Sequence, residues 1–330
     1  MSMNKMNTVM RIFLLAQFVA AAGLANPLAA QTYPGKSIRL IVPLPPGGGN
    51  DTIARLIGQK ISPSLGQQVV VDNRAGAGGL IAAELVARAP ADGYTLLLAN
   101  VAVMTILPNA QKKLPYDPLK DFAPVSLIAS APQLVVVHPS LPVHSIKQLV
   151  ALAKAKPNDV NYASNGIGSS THLATEMFAM MAGVKLVHVP YKGLSIAMTD
   201  LLSGQVPLMF SSAVAMLPYV KNGKLRAIAM TGVQRAPVIP DVPTVAEAGL
   251  KGYESGSWYG IAAPANTPRP VIERLNKEIV AAVKASEIQE RLIKEAVIPS
   301  GNSPEAFAAF IKTEFDRMAR VIREAKIVLD

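Results

Sequence analysis

The 330-residue chain contains no cysteine. That absence excludes disulfides, thiolate metal sites, cysteine nucleophiles and a lipid anchor on cysteine. Histidine is scarce as well: the four present, His138, His144, His172 and His188, show no metal-ligand spacing, no His-Glu-x-x-His pair occurs, and each reads as structural. There is no Gly-x-Ser-x-Gly elbow, and Gly35-Lys36-Ser37 fails as a phosphate loop because Ala30 stands where its first glycine belongs. No metal, no cofactor and no catalytic residue are therefore expected, and the chain does not read as an enzyme. Aromatic residues make up only 5% and do not interleave with the basic ones, and no helix-turn-helix or zinc pattern appears, so the net charge of +10 does not point to nucleic acid. It reads as solvated surface that favours anionic partners in general.

What is present begins with an export signal over residues 1–30: Lys5 and Arg11, an apolar stretch from Ile12 to Leu24, and Leu28-Ala29-Ala30 as a small-residue cleavage site. The stretch is too short for a membrane span, and a periplasmic location is expected. Loss of Lys5 and Arg11 leaves 30 basic and 22 acidic residues, a charge of +8. The remaining 300 residues exceed what one compact core usually holds, so two lobes are expected, stabilised by packing alone.

Short apolar runs alternate with helical periodicity, which predicts strands at 38–42, 69–73 and 95–99 with helices at 51–65 and 79–89 between them. This repetition is the signature of a parallel sheet flanked by helices. Residues 113–122 read as an ordered loop, and the apolar stretch 124–138, interrupted by Ser130-Ala131-Pro132, as a crossover into a second lobe. There the pattern predicts strands at 160–164, 186–189, 207–211 and 226–231, with helices at 145–155, 170–182, 195–203 and 213–222. A proline-rich loop with a short helix at 244–248 precedes a return crossover at 253–264, and helices at 268–285, 286–295 and from Ser303 onward pack back on the first lobe. The expected division is 31–131 for lobe 1, 132–253 for lobe 2 and 254–330 for the return to lobe 1. Leaving and returning makes a two-strand hinge with a cleft.

Three turns are suited to an anion. In Pro46, Gly47, Gly48, Gly49, Asn50 and Asp51 a strand breaks into glycines just before a helix, so backbone N–H groups and the helix dipole are accessible. The second runs from Ser164 through Gly166, Gly168, Ser169, Ser170 and Thr171 to His172, a strand end leading into glycines and hydroxyls that open a helix. A third turn, Val189-Pro190-Tyr191-Lys192-Gly193, offers a phenol and an ammonium. Gly76-Ala77-Gly78-Gly79 reads only as a tight strand-to-helix turn, because Ile81 occupies the third glycine position of a dinucleotide fingerprint. One glycine-rich helix start in each half suits a ligand with two separated carboxylates, held without burying an ion pair.

On these segments, and on Val71-Asp72-Asn73-Arg74-Ala75-Gly76, Asp92-Gly93-Tyr94, Leu114-Pro115-Tyr116-Asp117, Lys120-Asp121-Phe122, His188-Val189-Pro190-Tyr191-Lys192-Gly193 and Asp241-Val242-Pro243-Thr244, the sequence resembles the substrate receptors of tripartite tricarboxylate transporters, the Bug family of periplasmic binding proteins. The resemblance spans essentially the whole chain after residue 30. It implies a two-lobed α/β fold of the type II periplasmic binding protein, or venus-flytrap, class, and delivery of a small organic acid to membrane permease subunits. It implies that residues 46–51 hold a ligand carboxylate through backbone amides and bridging waters, that Ser169, Ser170 and Thr171 serve the opposite lobe, and that Tyr191 and the turn from Asn100 to Thr105 line the cleft. A monomer is expected; presentation of the ligand to a sensor kinase is the alternative, and an exported enzyme a more remote one. Departures from the common pattern bear on the ligand. Leu194 and Ile196 replace small groups, Val101 and Met104 are bulky, and Ser211 stands where relatives often carry aspartate, so the expected ligand is a carboxylic acid without an amino group and with an apolar or aromatic body.

Overall fold

Period-two apolar runs rich in β-branched residues, such as Ile38-Arg39-Leu40-Ile41-Val42, become strands because only their alternate or fully apolar faces can be buried between helices. The computed structural model describes residues 33–329, of which residues from Ser37 onward belong to one unit. The segment 1–30 read as a signal lies outside the described residues. Among those described, no helix is long and apolar enough to cross a membrane.

In chain order the elements are β1 (Ile38–Val42), α1 (Gly49–Leu65), β2 (Val69–Asn73), α2 (Leu80–Ala87), β3 (Thr95–Asn100), a wide helical turn (Ala102–Ile106) running into α3 (Leu107–Ala110), and β4 (Phe122–Val137). Next come α4 (Ile146–Ala155), β5 (Asn161–Ser164), α5 (Ser170–Ala182), β6 (Val187–Pro190), α6 (Leu194–Ser203), β7 (Leu208–Ser212), α7 (Ala213–Lys221) and β8 (Arg226–Met230). The chain closes with β9 (Gly256–Pro264), α8 (Arg269–Lys284), α9 (Ser286–Lys294), β10 (Ile298–Pro299) and α10 (Pro304–Glu324). Helix α10 starts where Ser303 accepts the Ala306 N–H, with Pro304 in the first turn, and buries Phe307, Ile311, Met318 and Ile322 along one face.

The strand order is β2-β1-β3-β9-β4-β7-β5-β6, with β10 and β8 also paired to β4. Strands β1, β2 and β3 are mutually parallel, as are β5, β6 and β7. Each parallel trio is completed by an antiparallel neighbour, β9 against β3 and β4 against β7. Strand β4 joins the two: Phe122 to Pro132 pair with β9, whereas Gln133 to Val137 pair with β7 and β8. The protein is thus two-lobed, each lobe a mainly parallel sheet with flanking helices. In both, the first strand of the trio lies between the other two, the order that opens a crevice at the strands' carboxyl ends.

Three local expectations differ from the structure. The break expected at Ser130-Ala131-Pro132 is continuous strand, because Pro132, which lacks an N–H, falls where pairing passes from one partner to another. Residues 244–248 form a single turn rather than a helix. Thr244 and Glu247 do make the reciprocal capping bonds that announce a helix, but Thr244 also bridges to Met230, and Gly249 comes immediately after the turn. The helical turns at 102–110 are the third: Asn100 starts them by accepting the Val103 N–H on its side-chain oxygen.

Candidate functional site

The crevice at the carboxyl end of β1 and β3 and the corresponding end of β5 face one cavity of about 660 Å³. Asn50, in the first turn of α1, and Ser170, the first residue of α5, both line it, so the positive ends of two helices converge on the same space. Its wall includes Leu44, Val101, Ile106, Leu107, Ile167 and Leu329, with Gln111, Asn165, Ser257 and Tyr259 among the polar residues. Among the described residues no Lys, Arg, Asp, Glu or His lines it. Such a site offers hydrogen-bond donors and apolar surface without a formal countercharge.

The loop after β1 is held from within. Asn73 donates to the Leu44 carbonyl at 3.0 Å, and the Gly47 N–H donates to the Asp51 carboxylate at 3.0 Å. Asp51 is buried and takes a second bond from Arg55, whose guanidinium holds the Asp51 carboxyl below its ordinary range. Gly47 and Asp51 therefore shape the loop rather than face the cavity. The N–H groups of Gly48, Gly49 and Asn50 have no hydrogen-bond partner among the described residues. Across the crevice Asn100 donates to the Asn50 side-chain oxygen at 2.7 Å, tying the end of β3 to the start of α1. Tyr259, from β9, brings its hydroxyl so close to Gly49 that a Cβ there would lie 2.7 Å from it. Burial pushes that phenol up to about 12, so it stays a neutral donor.

The loop after β5 has the same design with different parts. Ser169 Oγ accepts the His172 N–H as helix cap and donates to the Gly166 carbonyl, and Thr171 Oγ1 accepts the Asn165 N–H. The Gly168 N–H donates to His172 Nδ1 at 3.1 Å. His172 stacks on His188 with centroids 3.9 Å apart, and His188 in turn on Tyr162 at 4.9 Å. Burial first, and the neighbouring His188 second, lowers His172 to about 4. Ser170 lines the cavity, and its hydroxyl is unpartnered among the described residues.

Of the residues singled out from sequence, the structure gathers Asn50, Asn100, Gly168, Ser169 and Ser170 around the cavity. Pro46, Gly47, Gly48, Gly49, Asp51 and Thr171 sit in the supporting loops and do not line it. Ser164 is spent on His188 Nε2 at 2.6 Å and on Gly166. Tyr191 donates to Asp200 at 2.7 Å and packs away from the cavity. Ser211, at the end of β7, is 1% exposed with its hydroxyl unpartnered, and also lies off the lining. The glycine run at 76–79 does more than turn the chain, since Ala77 and Gly78 are part of the wall. Gln111, Ser257, Tyr259 and Leu329 carry no local motif that marks their role, whereas Asn165 lies within the second anion-suited turn. Gln111 and Asn165 each carry a buried side-chain oxygen with no partner among the described residues.

A family model described as the tripartite tricarboxylate transporter family receptor matches residues 53–327. The protein BugT of Bordetella pertussis is 38% identical over 320 residues, 97% of this chain and 98% of that one. Among solved structures, Rpa4515 of R. palustris with adipate is 36% identical at a TM-score of 0.77, over 90% of this chain and 99% of that one. MatC of Rhodopseudomonas palustris with bound malate is 32% identical at a TM-score of 0.72, over 88% and 100%.

Proposed function

The chain belongs to the tripartite tricarboxylate transporter receptor family, and from that premise we propose that it captures a small dicarboxylate with an apolar body in the cavity between its lobes and hands it to permease subunits in the periplasm, without chemical turnover. The observation that carries this reading is the uncharged lining: two helix starts, with Asn50, Ser170 and Tyr259, supply donors from both lobes, and the space between them is walled by aliphatic side chains. Carboxylates are held there by charge-assisted hydrogen bonds, and no buried ion pair has to be desolvated. A ligand ammonium has no carboxylate to meet on the lining. Similarity to proteins whose structures hold adipate and malate supports the same ligand class. On this reading residues 31–131 and 254–330 form one lobe and 132–253 the other, a division supported by the change of pairing partner along β4. Residues 46–51, Asn100 and 168–171 then make up the carboxylate-binding loops, with Ser164 bracing the second of them through the Gly166 N–H.

A thermal-shift screen of mono- and dicarboxylates tests the proposal. Ligand at a hundred times its Kd stabilises the folded protein by about 2.7 kcal/mol, a readily measured rise in Tm. Adipate is expected to raise Tm more than aspartate or glutamate do. A screen in which no organic acid raises it, or in which the amino acids are preferred, overturns the proposal.

A further inference from the structure

The cavity has one wall that comes from far along the sequence. Helix α10 ends at Glu324, and the chain then turns back: Lys326 takes the left-handed conformation at φ 55°, the Lys326 N–H donates to the Arg323 carbonyl and the Ile327 N–H to the Ile322 carbonyl. These two bonds are the paired closure of a Schellman turn, which fixes the direction in which the chain leaves the helix. Beyond it the chain is extended and alternates: Ile327 is buried in the core, Val328 is 56% exposed, and Leu329 points inward to line the cavity. The Leu329 N–H donates to the Ala110 carbonyl at 3.1 Å, and Leu329 forms a parallel bridge with Gln111, another lining residue. On its other side the Leu329 side chain lies on the ligand loop of the second lobe. A Cβ at Gly168 would sit 2.6 Å from Leu329 Cδ2, and Gly168 has a φ of 74°. One aliphatic side chain thus touches both halves of the cleft.

We infer that Leu329 is a specificity-determining residue of this site, setting how long an acyl body fits between the two carboxylate-holding loops. The inference rests on the proposed function for the nature of the ligand, and on the anchored tail for its own content. The backbone bond to Ala110 fixes where the side chain starts, and its packing against Gly168 limits where it can turn, so it acts as an end stop. Asn50, Tyr259 and Ser170 grip the acid groups in the same way whatever the chain length; only the apolar wall measures the distance between those groups.

The test is calorimetric titration of succinate, glutarate, adipate, pimelate and suberate into wild type, Leu329→Ala and Leu329→Trp, with amide hydrogen exchange of the ligand-free wild type. Removing the side chain is expected to move the preferred acid at least one methylene longer, changing the affinity ratio of adjacent acids by about tenfold, and the indole to move it shorter. The Leu329 amide is expected to exchange slowly. If wild type binds members of the series but all three proteins prefer the same acid, the inference is overturned while the proposed function stands. Free exchange at Leu329 overturns it also, because an undocked tail cannot be an end stop. If wild type binds none of the acids, the proposed function fails and the length rule with it.

Discussion

Lowering the pH should weaken the second lobe through one histidine. His172 is 6% exposed and accepts the Gly168 N–H on Nδ1, so its own proton sits on Nε2, 3.9 Å from the Glu176 carboxylate. His188 lies face to face with it, Tyr162 beyond that, and Ser164 Oγ holds the far side of His188. A second proton on His172 has to go on Nδ1, where it would confront the Gly168 N–H. Burial and the neighbouring ring place the folded value at about 4 against an ordinary 6.5. The unfolded chain therefore binds more protons between these two values, and stability rises with pH across that window. It is fully present above pH 6.5 and lost as pH falls towards 4. Each pH unit is worth about 1.4 kcal/mol, so this side chain alone costs the protein about 1 kcal/mol at pH 5.5 and about 2–3 kcal/mol at pH 4.5. His172→Asn keeps an acceptor near the position of Nδ1 but cannot titrate. Urea unfolding of both proteins at pH 7.5 and pH 4.5 cancels most other ionisations, and wild type should lose about 2–3 kcal/mol more than the variant. Because Gly168 to Ser170 line the cavity, wild-type ligand affinity should also fall faster with acid than that of the variant. Equal pH dependence of stability in the two proteins would refute the assignment.

Three other substitutions probe separate parts of the site and its support. Gly49→Ala places a methyl group 2.7 Å from the Tyr259 hydroxyl, so calorimetry should show affinity reduced by about tenfold or more as the phenol is displaced, with little change in Tm. Asp51→Ala removes the acceptor of the Gly47 N–H and the partner of Arg55; the loop after β1 should loosen at a cost of about 1–2 kcal/mol, measured by urea unfolding, with ligand binding weakened in parallel. Phe307→Ala empties a fully buried position edge-on to Trp258, and denaturation should report a loss of about 3–5 kcal/mol.

What the sequence makes legible is what a short segment decides by itself. The strands Ile38–Val42 and Val69–Asn73 and the hydroxyl-capped helix starts at Ser169 and Ser303 are settled by apolar period and by a cap within three residues of its acceptor, and they appear where the pattern puts them. The parts of the cleft that are not legible come from elsewhere in the chain. Tyr259 reaches Gly49 across more than two hundred residues, and Leu329 reaches Gly168 across more than a hundred and sixty. Neither carries a local motif, because its role is created by the strand order and by the turn after α10. Competition between partners accounts for the other differences. Glycines before a helix predict four available amides, yet the Asp51 carboxylate, one helical turn on, claims the Gly47 N–H, just as Asp200 claims Tyr191 and His188 claims Ser164. These internal bonds do not weaken the case for anion binding. Asp51 is itself neutralised by Arg55, so the pair leaves no net charge at the helix start, and what it fixes is the direction of the remaining amides from Gly48 to Asn50. A loop whose own polar groups are spent on its shape keeps its few unspent donors in one orientation, which is what the proposed capture of an anion by an uncharged lining requires.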